Sequence, residues 1–201
     1  MKHKIMDKMN VDTLFAEMDL RFKHFLFTRS LTPYINEEIW NQSLNVGTLE
    51  IPTATLYMAY GFNSKIHLDL DNVSYEDWLD AGAWTNKSFI ISIFALLDHW
   101  GVIKHIRTTL KLTEGVDKDN WSLLCNLRNI LTHSSECFPI QKGITSENFI
   151  ETIRLQKKLF PLLLKDEDRP NLDIQKFIIP FYLKLREIIN DQLSQFKDSL
   201  S

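Results

Sequence analysis

Apolar residues recur along this chain mostly at spacings of three and four, the period of a helix with one side facing a core. Short polar turns separate these stretches, and the chain lacks convincing strand alternation. Helical segments are predicted at residues 10–29, 35–44, 74–78, 86–112, 121–135, 145–164 and 172–197. Pro180 lies inside the last segment and should kink it, because proline has no backbone N–H. We predict an all-α bundle of four to five long helices.

The stretch from residue 45 to residue 71 is the least helical part of the chain. It is rich in threonine, isoleucine and aromatic residues and is punctuated by Pro52 and Gly61. We interpret it as a long ordered loop with room for a short extended piece, a kind of connection that is often functional. Asp69 and Asp71 alternate as in calcium loops, but the glycine and the distal glutamate of such loops are missing. An acidic surface loop is therefore the better interpretation.

The length of 201 residues suits a single domain with a substantial core. We predict one domain over residues 1–201, in which residues 1–85 form an N-terminal helix-and-loop extension and residues 86–200 form the core bundle. Several phenylalanines lie on the first predicted helix and are more typical of core than of a partner surface. These are Phe15, Phe22, Phe25 and Phe27.

Composition narrows the class of protein. A hydrophobic fraction of 44% and a charged fraction of 24% are ordinary for a soluble protein. The net charge of -3 argues against tight non-specific binding of nucleic acid, although a local basic groove remains compatible with it. Cys125 and Cys137 are too few for a disulfide framework and lack zinc spacing, so we predict no metal and a reducing, cytoplasmic location. Neither a secretory signal nor an apolar run of about 20 residues is present, so we predict no membrane association.

Three polar residues lie off the apolar stripe of the helix predicted at residues 121–135. They are Arg128, Asn129 and His133, and the last two lie four apart and therefore on one side of the helix. Arginine presents a fork of donors that matches phosphate oxygens, histidine exchanges a proton near neutral pH, and asparagine can orient either group. The set suits phosphate chemistry. The alternative is a plain solvated helix surface, where arginine and histidine are also common.

The segment L-R-N-I-L-T-H, Leu127–His133, resembles the R-N-x-x-x-H signature of HEPN domains, a family of all-helical nucleotide-binding and RNase domains. The resemblance covers roughly residues 86 to 200. It implies a helical bundle, commonly a homodimer in which two motifs face each other, and in many members RNA cleavage without a metal or other cofactor. By this resemblance, His133 would act as general acid or base, Arg128 would stabilise transition-state charge, and Asn129 would hold the substrate or the imidazole.

Asp98 falls inside the apolar stretch of the helix predicted at residues 86–112, where a charge needs a partner. HEPN domains often carry an acidic residue on the helix before the motif, so the resemblance makes Asp98 a candidate to orient Arg128 or His133. The alternative is a solvent-facing aspartate at the rim of the bundle. Three cations near the end of the same helix suit its dipole and could also hold RNA phosphates. They are His105, Arg107 and Lys111.

The resemblance predicts an endoribonuclease that leaves 2′,3′-cyclic phosphate and 5′-hydroxyl ends. Toxin, phage-defence and RNA-processing roles, with an antitoxin or regulatory partner, are compatible with it. Two alternatives stay open: a non-catalytic HEPN-like module that binds RNA, a nucleotide or a protein, and a helical interaction module in which the motif is accidental.

One position departs from a family pattern. Some HEPN toxins carry a tyrosine two residues after the motif histidine that a partner modifies, whereas this chain has Ser135 there.

Overall fold

In the computed structural model the chain is an all-α protein, as its apolar periodicity predicts. The structure describes residues 11–31, 37–44, 48–51, 66–69, 74–108, 115–133, 147–161, 163 and 170–200. The helices are α1 (Val11–Leu31), α2 (Glu37–Leu44), α3 (Tyr75–His99), α4 (Val102–Thr108), α5 (Val116–His133), α6 (Glu147–Leu159) and α7 (Ile179–Leu200). The two strands are β1 (Thr48–Ile51) and β2 (Ile66–Asp69), and a π-helical turn, Ile174–Ile178, precedes α7. None of the helices in these ranges is long and apolar enough to cross a membrane.

Packing divides the chain into two compact units. The first, here the small unit, comprises residues 20–89, and the second, the motif unit, comprises residues 1–19 and 90–201. The predicted boundary after residue 85 falls close to the end of the small unit. The described start of α1, however, belongs with the later helices and not with an N-terminal extension.

An aromatic core holds the small unit together. The rings of Phe25 and Phe89 stack with their centroids 4.4 Å apart. Trp40 packs against Tyr75 and Trp78 at centroid distances of 5.8 and 5.9 Å. Such ring pairs stabilise a core beyond the burial of their area. Phe25 is therefore a core residue, as its helical spacing predicts.

Two short strands lie in the stretch predicted as a long ordered loop with room for a short extended piece. β1 and β2 pair antiparallel, with Thr48 opposite Asp69 and Ile51 opposite Ile66. Each strand has four residues, which is too few for alternation to be visible in the sequence, and the partner is supplied by a separate segment. Residues 52–65 and Asp71 lie outside the described part of the chain. Within the described part, acidic, histidine and cysteine side chains form no group able to hold a metal.

The helix predicted at residues 86–112 is wrong at its start and in its interior. α3 begins at Tyr75 because Ser74 and Asp77 cap it reciprocally: Asp77 Oδ2 accepts from the Ser74 N–H at 2.9 Å, and Ser74 Oγ accepts from the Asp77 N–H at 3.0 Å. It ends at His99, and Gly101 follows with φ 74°, a left-handed conformation that glycine adopts without a Cβ clash. α4 then starts at Val102.

The motif unit is built around α5, which packs against α6 and α7. Between α6 and α7, the rings of Phe177 and Phe181 stack at 5.0 Å, and the Phe160 ring meets the Phe177 ring edge-on at 5.0 Å. α6 ends at Leu159, earlier than the predicted Leu164, because Pro161 follows and disfavours helical backbone in the residue before it.

A π-helical turn, not a simple bend, accommodates Pro180. The Asp173 carbonyl accepts from the Phe177 N–H at 3.1 Å and from the Ile178 N–H at 2.9 Å, and the Asp173 carboxylate caps the Lys176 N–H at 2.6 Å. A wide turn just before a proline relieves the clash of its ring with the preceding turn. The predicted continuous helix over residues 172–197 is therefore interrupted near its start.

α7 is tied to the start of α1 by a polar network. The Tyr182 hydroxyl donates to Asp19 Oδ1 at 2.7 Å, and Arg186 donates to Asp19 Oδ2 at 3.1 Å. The Arg186 guanidinium lies 5.0 Å from the centroid of the Phe15 ring. Burial, followed by the hydrogen bond to Asp19, raises the pKa of the Tyr182 phenol, so Tyr182 remains a donor at all physiological pH values.

Candidate functional site

Helix α5, which carries the motif, is anchored by buried leucines between residues 123 and 131. Its leucines at positions 123, 124, 127 and 131 are fully buried, which confirms the predicted core stripe. The helix begins at Val116, earlier than the predicted Trp121, and Asn120 lies inside it and donates to the Val116 carbonyl at 2.8 Å. The motif residues therefore lie in the second half of a helix of 18 residues, where the backbone is fixed by packing.

Arg128 is held on two sides. Its Nη1 donates to Asn129 Oδ1 at 3.0 Å, and its Cζ lies 5.2 Å from the centroid of the Phe94 ring on α3. Adjacent residues on a helix normally point in different directions, so this hydrogen bond means that the arginine side chain folds back toward its neighbour. The contact with the ring face is a cation–π interaction, which favours a fixed guanidinium plane.

Arg128 and Asn129 have more N–H donors than the hydrogen bond between them uses. Arginine has five N–H donors, of which the Asn129 amide oxygen takes one. Among the ion pairs of the described residues, none involves Arg128. Because Asn129 uses its oxygen on Arg128, its NH₂ group is the end left for another acceptor. The pair thus presents a partly buried cation and an amide donor without a carboxylate to neutralise them, an arrangement that suits an anionic group such as phosphate.

His133 is the last residue of α5, and its side chain lies outside the described part of the structure. The helix itself places its backbone one turn after Asn129, on the same side. The structure thus brings the side chains of Arg128 and Asn129 together. For His133 the grouping stays a prediction.

Asp98 is exposed, and none of the ion pairs among the described residues joins it to Arg128. Phe94, one helical turn earlier on α3, takes the place facing Arg128. The solvent-facing aspartate, the alternative interpretation, is what the structure contains. A role for Asp98 in the chemistry stays a prediction.

His105 is not available to hold RNA phosphates. Its imidazole is buried on α4, where Val102, Ile103 and Ile106 are buried as well, and burial lowers its pKa. A buried neutral imidazole carries no charge for an anion. The side chain of Arg107, and Lys111 as a whole, lie outside the described residues.

We therefore expect the free energy of unfolding to decrease below neutral pH, because His105 has a lowered pKa in the folded state. Its pKa in the folded state is lower than its ordinary value of 6.5, so as the pH falls below 6.5 the unfolded chain binds a proton before the folded one does. Stability present above pH 6.5 is then lost progressively until the pH passes the lowered pKa. Urea unfolding of the wild type and His105→Gln at pH 5.5 and 8.0 checks this. An equal loss of stability in both proteins at pH 5.5 would contradict it.

Phe94 is the member of this site that sequence reasoning missed. The sequence could have pointed to it by its spacing: Phe94 lies one helical turn before Asp98, on the face of the helix that was expected to contact the motif helix. An aromatic residue in a helical apolar run is usually assigned to the core, and the ring is only half-buried.

In comparisons with protein-family models, characterised proteins and solved structures, no match to this chain was found. The case for a function therefore rests on the residues of the motif and on the geometry around Arg128.

Proposed function

We propose that this protein is an endoribonuclease that cleaves RNA without a metal ion. In the proposed reaction the 2′-hydroxyl attacks the adjacent phosphorus and the 5′-oxygen leaves. The products are a 2′,3′-cyclic phosphate and a 5′-hydroxyl. This is the HEPN-type activity implied by the R-N-x-x-x-H pattern of Leu127–His133.

The observation that carries the proposal is the fixed guanidinium of Arg128. A cation that stabilises a phosphorane-like transition state works best when it is oriented before the reaction, because no reorganisation is then needed as charge develops. Arg128 has this property through the hydrogen bond to Asn129 at 3.0 Å and the Phe94 ring at 5.2 Å. It also lacks a carboxylate partner among the described residues, so its charge is available to phosphate.

Each motif residue has a role in the proposal. Arg128 stabilises negative charge on the non-bridging oxygens of the phosphate. Asn129 orients Arg128 through its amide oxygen, and its NH₂ group donates to the substrate. His133 takes the proton of the 2′-hydroxyl or returns one to the leaving oxygen, as an imidazole can near neutral pH.

The reaction needs both a base and an acid, whereas one motif supplies one imidazole. We therefore include in the proposal a symmetric homodimer in which a second copy brings its motif to the same RNA. A toxin or phage-defence role, controlled by an antitoxin or regulatory partner, is the setting that fits such an activity.

Cleavage of a mixed RNA substrate by the purified protein in excess EDTA tests the proposal. We expect the wild type to produce cyclic phosphate ends, and the double variant Arg128→Ala/His133→Ala, with an unchanged helical circular dichroism spectrum, to produce none. Equal activity in both proteins would assign the cleavage to a contaminant or to another site. RNA binding without cleavage, lost in the double variant, would instead favour the non-catalytic binding module.

A further inference from the structure

The Phe94 ring lies beneath the guanidinium of Arg128, although 34 positions of sequence separate the two residues. The distance of 5.2 Å from Arg128 Cζ to the ring centroid is within the range of a cation–π contact. Both residues belong to the motif unit. The contact therefore joins the last third of α3 to the part of α5 that carries the motif.

The α3 helix gives the ring a rigid base. Ile93, Leu96 and Leu97, which flank Phe94 in sequence, are fully buried and fix this part of the helix. Phenylalanine has only two side-chain torsions, so a ring on such a helix occupies few orientations. The ring is half-buried, so Phe94 is not simply a core residue. Part of the ring is available for contact with Arg128.

The ring and the Asn129 amide restrain different motions of the guanidinium. The amide oxygen fixes the direction of one N–H group, whereas the ring holds the guanidinium carbon over its face, 5.2 Å from the ring centroid. Arginine otherwise has several rotatable bonds and would sample many positions. With both contacts made, the remaining donors point away from the ring in a narrow range of directions.

We propose that Phe94 is a positioning residue for Arg128, and its effect on cleavage rests on the proposed function. It acts through the guanidinium and does not touch the RNA. Replacing its ring by an aliphatic side chain leaves the charge of Arg128 in place but lets its direction vary. The cost then falls on the rate of the chemical step more than on RNA binding.

The test compares Phe94→Leu with Phe94→Tyr in the full-length protein. We expect Phe94→Leu to lower kcat about tenfold with KM nearly unchanged, the magnitude of losing one cation–π contact. Phe94→Tyr keeps the ring face and should retain activity within about twofold. Phe15→Leu is the matched control, because Phe15 holds Arg186 by the same type of contact, at 5.0 Å, away from the motif. It should leave kcat unchanged.

A second readout does not depend on activity. The ring current of Phe94 should shift the Arg128 side-chain Nε–H signal in NMR spectra, a signal assigned by its absence in Arg128→Lys. The shift should be lost in Phe94→Leu and kept in Phe94→Tyr and Phe15→Leu. An unchanged Arg128 signal in Phe94→Leu would overturn the proposal. So would a loss of kcat by Phe94→Leu that is equally large in the Arg128→Ala background, because the ring would then act independently of the arginine.

The two proposals can fail separately. If the wild type does not cleave RNA, the proposed function fails, while the NMR signal of Arg128 still decides whether Phe94 positions it. If the wild type cleaves RNA and Phe94→Leu matches it in kcat, the function stands and the positioning role is overturned.

Discussion

Arg128→Ala is expected to lower the rate of metal-independent RNA cleavage by about 10²–10³-fold, the usual cost of removing one preorganised donor of a transition-state charge. The substitution removes the cation that the Phe94 ring and the Asn129 amide hold in place. Because the missing interaction would strengthen only as charge develops on the phosphate, kcat should fall more than KM rises. Single-turnover cleavage of a labelled RNA in EDTA measures the effect.

Two companion variants sharpen this result. Arg128→Lys keeps the charge but loses the fork and most of the ring contact, so its activity should lie between those of the wild type and Arg128→Ala. Arg154→Ala is the matched control, because Arg154 is an exposed arginine on α6 that pairs with Glu151 at 2.6 Å. It should leave cleavage unchanged. If Arg154→Ala lowered the rate as much as Arg128→Ala, general attraction of RNA would explain both losses.

Gln156→Leu is expected to destabilise the protein by about 1–3 kcal/mol, because it removes two hydrogen bonds between a fully buried side chain and the backbone of Asn171. Gln156 has 0% of its surface exposed. Its Nε2 donates to the Asn171 carbonyl at 2.8 Å, and its Oε1 accepts from the Asn171 N–H at 3.0 Å. Leucine has nearly the same volume, so the loss reports the two hydrogen bonds and not a cavity.

Urea unfolding followed by circular dichroism measures the effect of Gln156→Leu on the free energy of unfolding. Gln175→Leu is the control, since Gln175 is exposed on the π-helical turn and the same substitution there removes no buried partner. Its midpoint should stay close to that of the wild type. Equal midpoints for both variants would mean that solvent replaces the glutamine and that the segment around Asn171 is held by other contacts.

The sequence predicted the helical class and most helices because the apolar spacing records which side of each helix is buried. The buried leucines of α5 confirm this, as do α1 and α2, which begin and end within two residues of the predicted limits. The break at Gly101 was missed because apolar residues continue on both sides of the glycine, so the periodicity does not reveal its positive φ.

The candidate site was predicted only as far as local spacing reaches. Arg128 and Asn129 are neighbours on one helix, and the motif pattern names both of them. The residue opposite Arg128 depends on how α3 rotates against α5, and one helical turn along the same face separates Asp98 from Phe94. Asp98 was considered as a partner of Arg128 because opposite charges pair. The ring of Phe94 lies at this place instead, with its centroid 5.2 Å from Arg128 Cζ.

The hydrogen bonds of Asp19 to Tyr182 and Arg186 also set an order of events during synthesis. The partners of Asp19 lie 163 and 167 positions later in the chain. At typical rates of translation they leave the ribosome on the order of 10–30 s after Asp19 does. The start of α1 thus completes its polar contacts with α7 only after α7 has been synthesised, and a nascent chain stalled before α7 leaves Asp19 without Tyr182 and Arg186.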